Sequence, residues 1–250
     1  MRTFLIGGGR QADAVHEAFV EAANGPLVAF VLDEGSDTNL QRWSETLVTA
    51  GATEHRVVVV SPERPPTAAD LDGVAGVYVA GGLTPGYHRA LVAGGTEWLA
   101  RARDAGLTYA GFSADTAIAP AHALVGGARV HYRGQTIDVC DEDFAEELDV
   151  VTVLPGLDLV PFTVDVHAAQ WGTLYRLVHA LTAANVAEGW AIDENTALEV
   201  TDGMVTVHGS GAATRVRRQD SSVTLSVHVA GDQVPVPGSS DRPMSIVDTS

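Results

Sequence analysis

A chain of 250 residues, 46% of them hydrophobic, can bury one large core, so a single domain over residues 1–234 is expected. Its formal net charge of −17 argues against nucleic acid as a partner, because neutralising phosphates needs basic patches. All 15 basic residues are arginine, which excludes Schiff-base and Walker-type lysine chemistry; the single cysteine, Cys140, excludes a disulfide scaffold and a Cys-based zinc site.

Thr3–Ile6 reads as a strand running into Gly7-Gly8-Gly9. No charged-then-apolar leader precedes it and no apolar run is long enough to span a membrane, so a cytoplasmic protein with no membrane partner is expected. Gln11–Ala23 carries Val15, Ala18, Phe19 and Ala22 at helical spacing, with His16 taken as a surface residue. Strand Leu27–Leu32, helix Leu40–Ala50, and strands Arg56–Val60 and Val74–Ala80 follow, then Gly81-Gly82, helix Glu97–Ala105 and strand Leu107–Phe112. This alternation predicts a mostly parallel, doubly wound α/β sheet with helices on both faces. Such sheets place their sites at the carboxyl ends of strands, where Gly7–Gly9, Gly81-Gly82 and Ser113 all fall.

Gly111-Phe-Ser-Ala-Asp115 has the layout of a nucleophile elbow, with a serine on a sharp strand-to-helix turn. The next N–H, that of Ala114, then faces the group that the hydroxyl attacks. Asp115 stands where the second elbow glycine is usual, and a carboxylate there is expected to repel an oxyanion or serve as an extra acid. The acidic stretch Asp138–Asp149 reads as a solvated helix start. Strands Val150–Leu154 and Val160–Val166 lead to His167, which is expected at the same sheet edge as Ser113. A helix over Gln170–Ala183 follows, and from about residue 186 the chain reads as short strands, with Glu194 in an Asp-Glu-Asn turn. The apolar run Val223–Val229 is a candidate homodimer edge, and residues 235–250 have the composition of a flexible tail.

Three segments together resemble the cyanophycinase and dipeptidase E family of serine peptidases: the Gly111–Ala114 elbow, Val164-Asp-Val-His-Ala-Ala-Gln-Trp-Gly-Thr-Leu-Tyr-Arg-Leu177, and Ala191-Ile-Asp-Glu-Asn-Thr-Ala-Leu198. The resemblance implies the class I glutamine-amidotransferase-like (flavodoxin-like) fold with a small β-rich C-terminal extension, and no cofactor or metal. It implies Ser113 as nucleophile, His167 as base, Glu194 as its orienting carboxylate, and the Gly82 and Ala114 N–H groups as an oxyanion hole. Substrate contacts are implied at Leu83, Thr84, Asp165, Trp171 and Arg176. The departures fall in the pocket. The family's Gly-Gly-Asp-Gln run is Gly81-Gly82-Leu83-Thr84 here, the glutamine before the histidine is Val166, and two arginines that receive an aspartyl carboxylate are Trp171 and Thr173. An apolar or amidated acyl group is therefore expected rather than an N-terminal aspartate.

Other readings fare less well. A glutamine amidotransferase needs an elbow cysteine, and Cys140 lies elsewhere. A dinucleotide fingerprint at Gly7–Gly9 lacks its third glycine, since position 12 is alanine. A non-catalytic relative that binds a small molecule or partner, with Asp115 disabling the elbow, is the alternative from another class.

Overall fold

The computed structural model describes residues 1–220 and 222–236. The first half alternates as expected: β1 (Thr3–Ile6), α1 (Asp13–Ala23), β2 (Leu27–Leu32), α2 (Leu40–Thr49), β3 (His55–Val60), β4 (Gly76–Val79), α3 (Thr84–Tyr87), α4 (Glu97–Asp104), β5 (Thr108–Phe112) and α5 (Ala114–Ile118). β1, β2, β4 and β5 are buried along their whole length, as parallel strands covered on both faces must be. Tyr78 of β4 meets His16 of α1 and Trp43 of α2 on one face. Phe30 of β2 is level with Val79, which points to the other face, and there it meets Trp98 of α4 edge-on. Helices therefore cover both faces.

The second half runs through β6 (His122–Gly126), β7 (Arg129–Tyr132), β8 (Gln135–Asp138), β9 (Thr152–Pro155), β10 (Thr163–Val166), α6 (Ala168–Trp171), α7 (Leu174–Ala183) and β11 (Glu188–Ile192). It ends with β12 (Thr196–Thr201), β13 (Met204–Gly209), β14 (Ala213–Gln219), β15 (Ser222–His228) and β16 (Gln233–Pro235). The main sheet has the order β16-β13-β12-β1-β5-β4-β2-β3, parallel from β1 to β3 and antiparallel beyond β1. A second sheet, β10-β11-β14-β15, stands beside it. The β-rich C-terminal part is thus divided between two sheets.

Several expectations change. The strand before His167 belongs to the second sheet, so His167 reaches Ser113 from a different sheet rather than along a shared edge. The helix expected over Gln170–Ala183 is two helices, broken at Gly172, whose φ of 66° is left-handed. The acidic stretch begins no long helix; it holds one short turn, Glu142–Phe144, and then two left-handed residues, Glu146 and Glu147. His16 is a core residue. It shares the buried face of α1 with Val15 and Phe19, stacks on Phe112 and meets the Tyr78 hydroxyl at 3.0 Å, and burial pushes its pKa down to about 4. The run Val223–Val229 is the outer strand of the second sheet, with Val223, Leu225 and Val227 exposed. Pro235 still pairs with Met204, whereas residues 237–250 of the expected tail lie outside the described residues. Among the described residues no helix is long and apolar enough to cross a membrane.

Candidate active site

Ser113 joins β5 to α5 with φ 54° and ψ −107°, a conformation that side-chain-bearing residues rarely adopt. The turn is tied from below. The Ser113 N–H donates to the Ile6 carbonyl at 2.9 Å, and the Thr116 hydroxyl donates to the carbonyls of Ile6 and Gly111. The N–H groups of Gly82 and Ala114 have no protein acceptor among the described residues. Asp115 points away from the cleft: it is fully buried, accepts the Tyr109 hydroxyl and fills the space left by the missing side chain of Gly111. Burial raises its pKa to about 7, against the opposing Tyr109 hydrogen bond. The expectation that this carboxylate would face the oxyanion is therefore corrected. Its helix turns it under the elbow.

His167 follows β10 in the left-handed region, at φ 51°. Its Nε2 lies 2.7 Å from Ser113 Oγ and its Nδ1 lies 2.8 Å from Glu194 Oε1. With Nδ1–H donating to the carboxylate, Nε2 is left to accept the serine proton. Burial lowers the His167 pKa, and Glu194 offsets part of that loss. Glu194 lies on no hairpin. Its turn carries the chain from β11 in the second sheet to β12 in the main sheet. Three contacts brace this turn: Gln170 Oε1 accepts the Glu194 N–H, and Asp193 accepts the N–H groups of Ala169 and Ala212.

The Gly7–Gly9 turn is where these segments meet. The His167 N–H donates to the Gly7 carbonyl at 3.0 Å and the Asn195 N–H to the Gly8 carbonyl at 2.8 Å. Gly8 has φ 101°, and a Cβ there would overlap the His167 ring. The glycines that partly matched a dinucleotide fingerprint are occupied by the chain itself.

Of the residues with implied substrate contacts, Leu83 and Trp171 line cavities at the site. Trp171 lies flat on His167, with ring centroids 3.7 Å apart and planes within 10°, and its other face stacks on Phe144 at 4.7 Å. Asp165 and Arg176 lie behind the cleft rather than in it. They form a buried bidentate pair at 2.7 and 2.9 Å, and Arg176 also donates to the Phe144 carbonyl at 2.8 Å. That pair anchors the outer ring of the stack. Thr84 is buried and gives its N–H to Glu146; Thr173 gives its hydroxyl to the Val166 carbonyl, and Val166 is buried too.

Ser113, His167 and Glu194 line a cleft of about 340 Å³. It shares Glu34, Asp37, Gly82 and Trp171 with a larger cavity of about 690 Å³, whose lining includes Asp33, Asp143, Glu146 and Glu147 with one cation, Arg89. Glu34 and Glu146 are anchored there by the N–H groups of Leu83 and Thr84, at 2.8 and 2.9 Å. On the opposite side the cleft shares Arg10 and Arg42 with a third cavity, of about 480 Å³. Sequence reasoning missed Glu34, Phe144, Glu146, Arg10 and Arg42. The one available signal was position, since Arg10 and Glu34 each follow a strand at its carboxyl end. Among the described residues no group of three His, Cys, Asp or Glu side chains is placed to hold a metal.

No protein-family profile and no curated protein matches the chain. Solved structures do. A peptidase from an acI-B1 Actinobacterium superposes with a TM-score of 0.65 at 16% identity, over 94% of this chain and 96% of that one. A presumptive peptidase E from Listeria monocytogenes EGD-e gives a TM-score of 0.50 at 16% identity, over 84% of this chain and 98% of that one. The fold of this chain is that of these two solved structures. At such identity the likeness speaks for architecture alone.

Proposed function

We propose that this protein is a serine hydrolase that cleaves an amide or peptide bond in a small peptide or aminoacyl compound, akin to cyanophycinase-like and dipeptidase E-like peptidases. The observation that carries the reading is the continuous Ser113–His167–Glu194 hydrogen-bond chain, at 2.7 and 2.8 Å, hung on a strained elbow. Ser113 Oγ attacks the carbonyl while His167 Nε2 takes its proton, and Glu194 holds the ring and balances the imidazolium. The N–H groups of Gly82 and Ala114 receive the oxyanion. His167 then returns the proton to the leaving amine, and water releases the acyl group by the same steps in reverse. The carboxylates of Glu34, Asp143 and Glu146 around Leu83 and Trp171 disfavour an aspartyl side chain in the acyl position, which supports a neutral or cationic acyl group.

The rival reading of a retired binding site rested on Asp115, and with that carboxylate turned under the elbow no observation favours it. Intact-mass labelling with a fluorophosphonate tests the proposal. Wild type is expected to take one adduct, and Ser113→Ala and His167→Ala none. A folded wild type that stays unlabelled would overturn it.

A further inference from the structure

Beyond the triad, the cleft carries two arginines that the protein itself leaves unpaired. The chain has 32 carboxylates against 15 arginines. Arg2, Arg129, Arg176 and Arg215 each sit within 4.0 Å of a carboxylate. Arg10 and Arg42, both lining the cleft beside Ser113, have no such ion pair among the described residues. What sets these two apart from the other arginines without an ion pair among the described residues is their place, since they alone of these line the cleft that holds Ser113 and His167.

Arg42 is held by construction. Asn39 caps α2 by accepting the Arg42 N–H at 2.9 Å, which fixes Arg42 in the first turn. Its guanidinium lies 4.4 Å over the ring of Trp43. Trp43 is itself buried and packs edge-on against Phe112, the residue before Ser113. The guanidinium N–H groups have no protein acceptor among the described residues, and such a planar fork can receive a carboxylate through two parallel hydrogen bonds. Arg10 leaves the Gly7–Gly9 turn directly beneath which His167 is docked.

The sheet order assigns Arg10 to one side of the scissile bond, and Arg42 joins it there because the two line the same two cavities. Ser113 follows β5, which lies between β1 and β4. Gly82 follows β4, so the carbonyl oxygen turns that way; Gly8, Arg10 and the His167 ring stand over the end of β1. The leaving amine must lie where His167 can protonate it, hence on the Arg10 side. Four carboxylates share these cavities. Glu34 and Asp37 line the cleft, with Glu34 committed to the Leu83 N–H; Asp13 and Glu45 line the cavity beyond, with Glu45 accepting from Gln41.

We propose that Arg10 and Arg42 form a carboxylate-binding subsite on the leaving-group side, so that preferred substrates carry a free carboxylate on the residue released. This rests on the serine-hydrolase reading of Ser113. The test compares kcat/KM for N-terminally free dipeptides Xaa-Leu with their amides Xaa-Leu-NH₂, with Xaa drawn from alanine, leucine, arginine and aspartate. Wild type is expected to favour the acid by about ten- to hundred-fold, mainly through KM. In Arg10→Ala and Arg42→Ala that ratio falls toward one, and Arg42→Lys, which keeps charge without the stacked fork, lies between. Equal rates on acid and amide in wild type, or a ratio untouched by both alanine variants, would overturn the subsite. A second readout needs no turnover. Leucine should shift the arginine Nε–H NMR signals that disappear in Arg10→Ala and Arg42→Ala, and leucinamide should not; signals that ignore both compounds also overturn it. A wild type that neither labels nor hydrolyses defeats the hydrolase reading instead, while the Nε–H titration still decides the subsite.

Discussion

Ser113 and His167 meet at 2.7 Å, yet they are held by different means. The serine turn is fixed by the main sheet through backbone: the Ser113 N–H on Ile6 and the Thr116 hydroxyl on two carbonyls. The histidine turn comes from the second sheet, and its ring is held by side chains. Glu194 holds Nδ1, and Trp171 covers one face, backed by Phe144 and the buried Asp165–Arg176 pair. The two supports touch at Gly8. The nucleophile is a property of one local turn, whereas the base is a property of how two sheets dock.

The sharpest way to break this contrast is at Glu194. Glu194→Gln keeps the shape and removes the charge, and a drop of about 10⁴-fold in the fluorophosphonate labelling rate is expected. Because Glu194 raises a pKa that burial lowers, the acid limb of the labelling profile, already below pH 6.5 in wild type, moves lower still in the variant. A limb that stays in place would mean that Glu194 does not act on His167.

Gly8→Ala attacks the docking point. The added methyl displaces the imidazole and strains a φ of 101°, so labelling should fall by at least about 100-fold while circular dichroism shows a folded chain. Wild-type labelling in that variant would show that the ring is not pressed on the turn.

The stack offers a finer test. Trp171→Phe keeps an aromatic face on His167 and should label within about threefold of wild type, while Trp171→Leu, apolar but not flat, should lose about tenfold. Equal rates in the two variants would reduce Trp171 to filler.

The smallest effect on labelling is expected at Asp115, where the readout is stability. Its folded pKa of about 7 exceeds the model-compound value of 3.8, so the folded state keeps a proton that the unfolded chain releases. Stability is then lost as pH rises from about 4 to 7. Between pH 5 and 8 this costs about 3 kcal/mol, a slope that Asp115→Asn should lack in urea denaturation. Parallel slopes would place the carboxylate in water.

Much of the main sheet was legible because strands buried on both faces are continuous apolar runs and the helices between them repeat at their own period. The elbow was legible for the same reason, a local change of pattern at Phe112-Ser113. His16 was misplaced because residue type was weighed above its position between Val15 and Phe19 on the inner face. Asp165 and Arg176 were given to the substrate because a motif carries residue types but not their direction, and here each is turned toward the other.

The sequence by itself determined the βα alternation, the strained serine turn and the chain order Ser113, His167, Glu194, since each depends on neighbours within a few residues. Only the tertiary structure decided that His167 arrives from a second sheet, that Asp115 faces Tyr109, and that Arg10 and Arg42 stand unpaired beside the nucleophile. Those outcomes depend on which segments meet across 54 residues from Ser113 to His167 and a further 27 to Glu194. Contacts at that range are selected by the packing of whole layers, which no local pattern encodes.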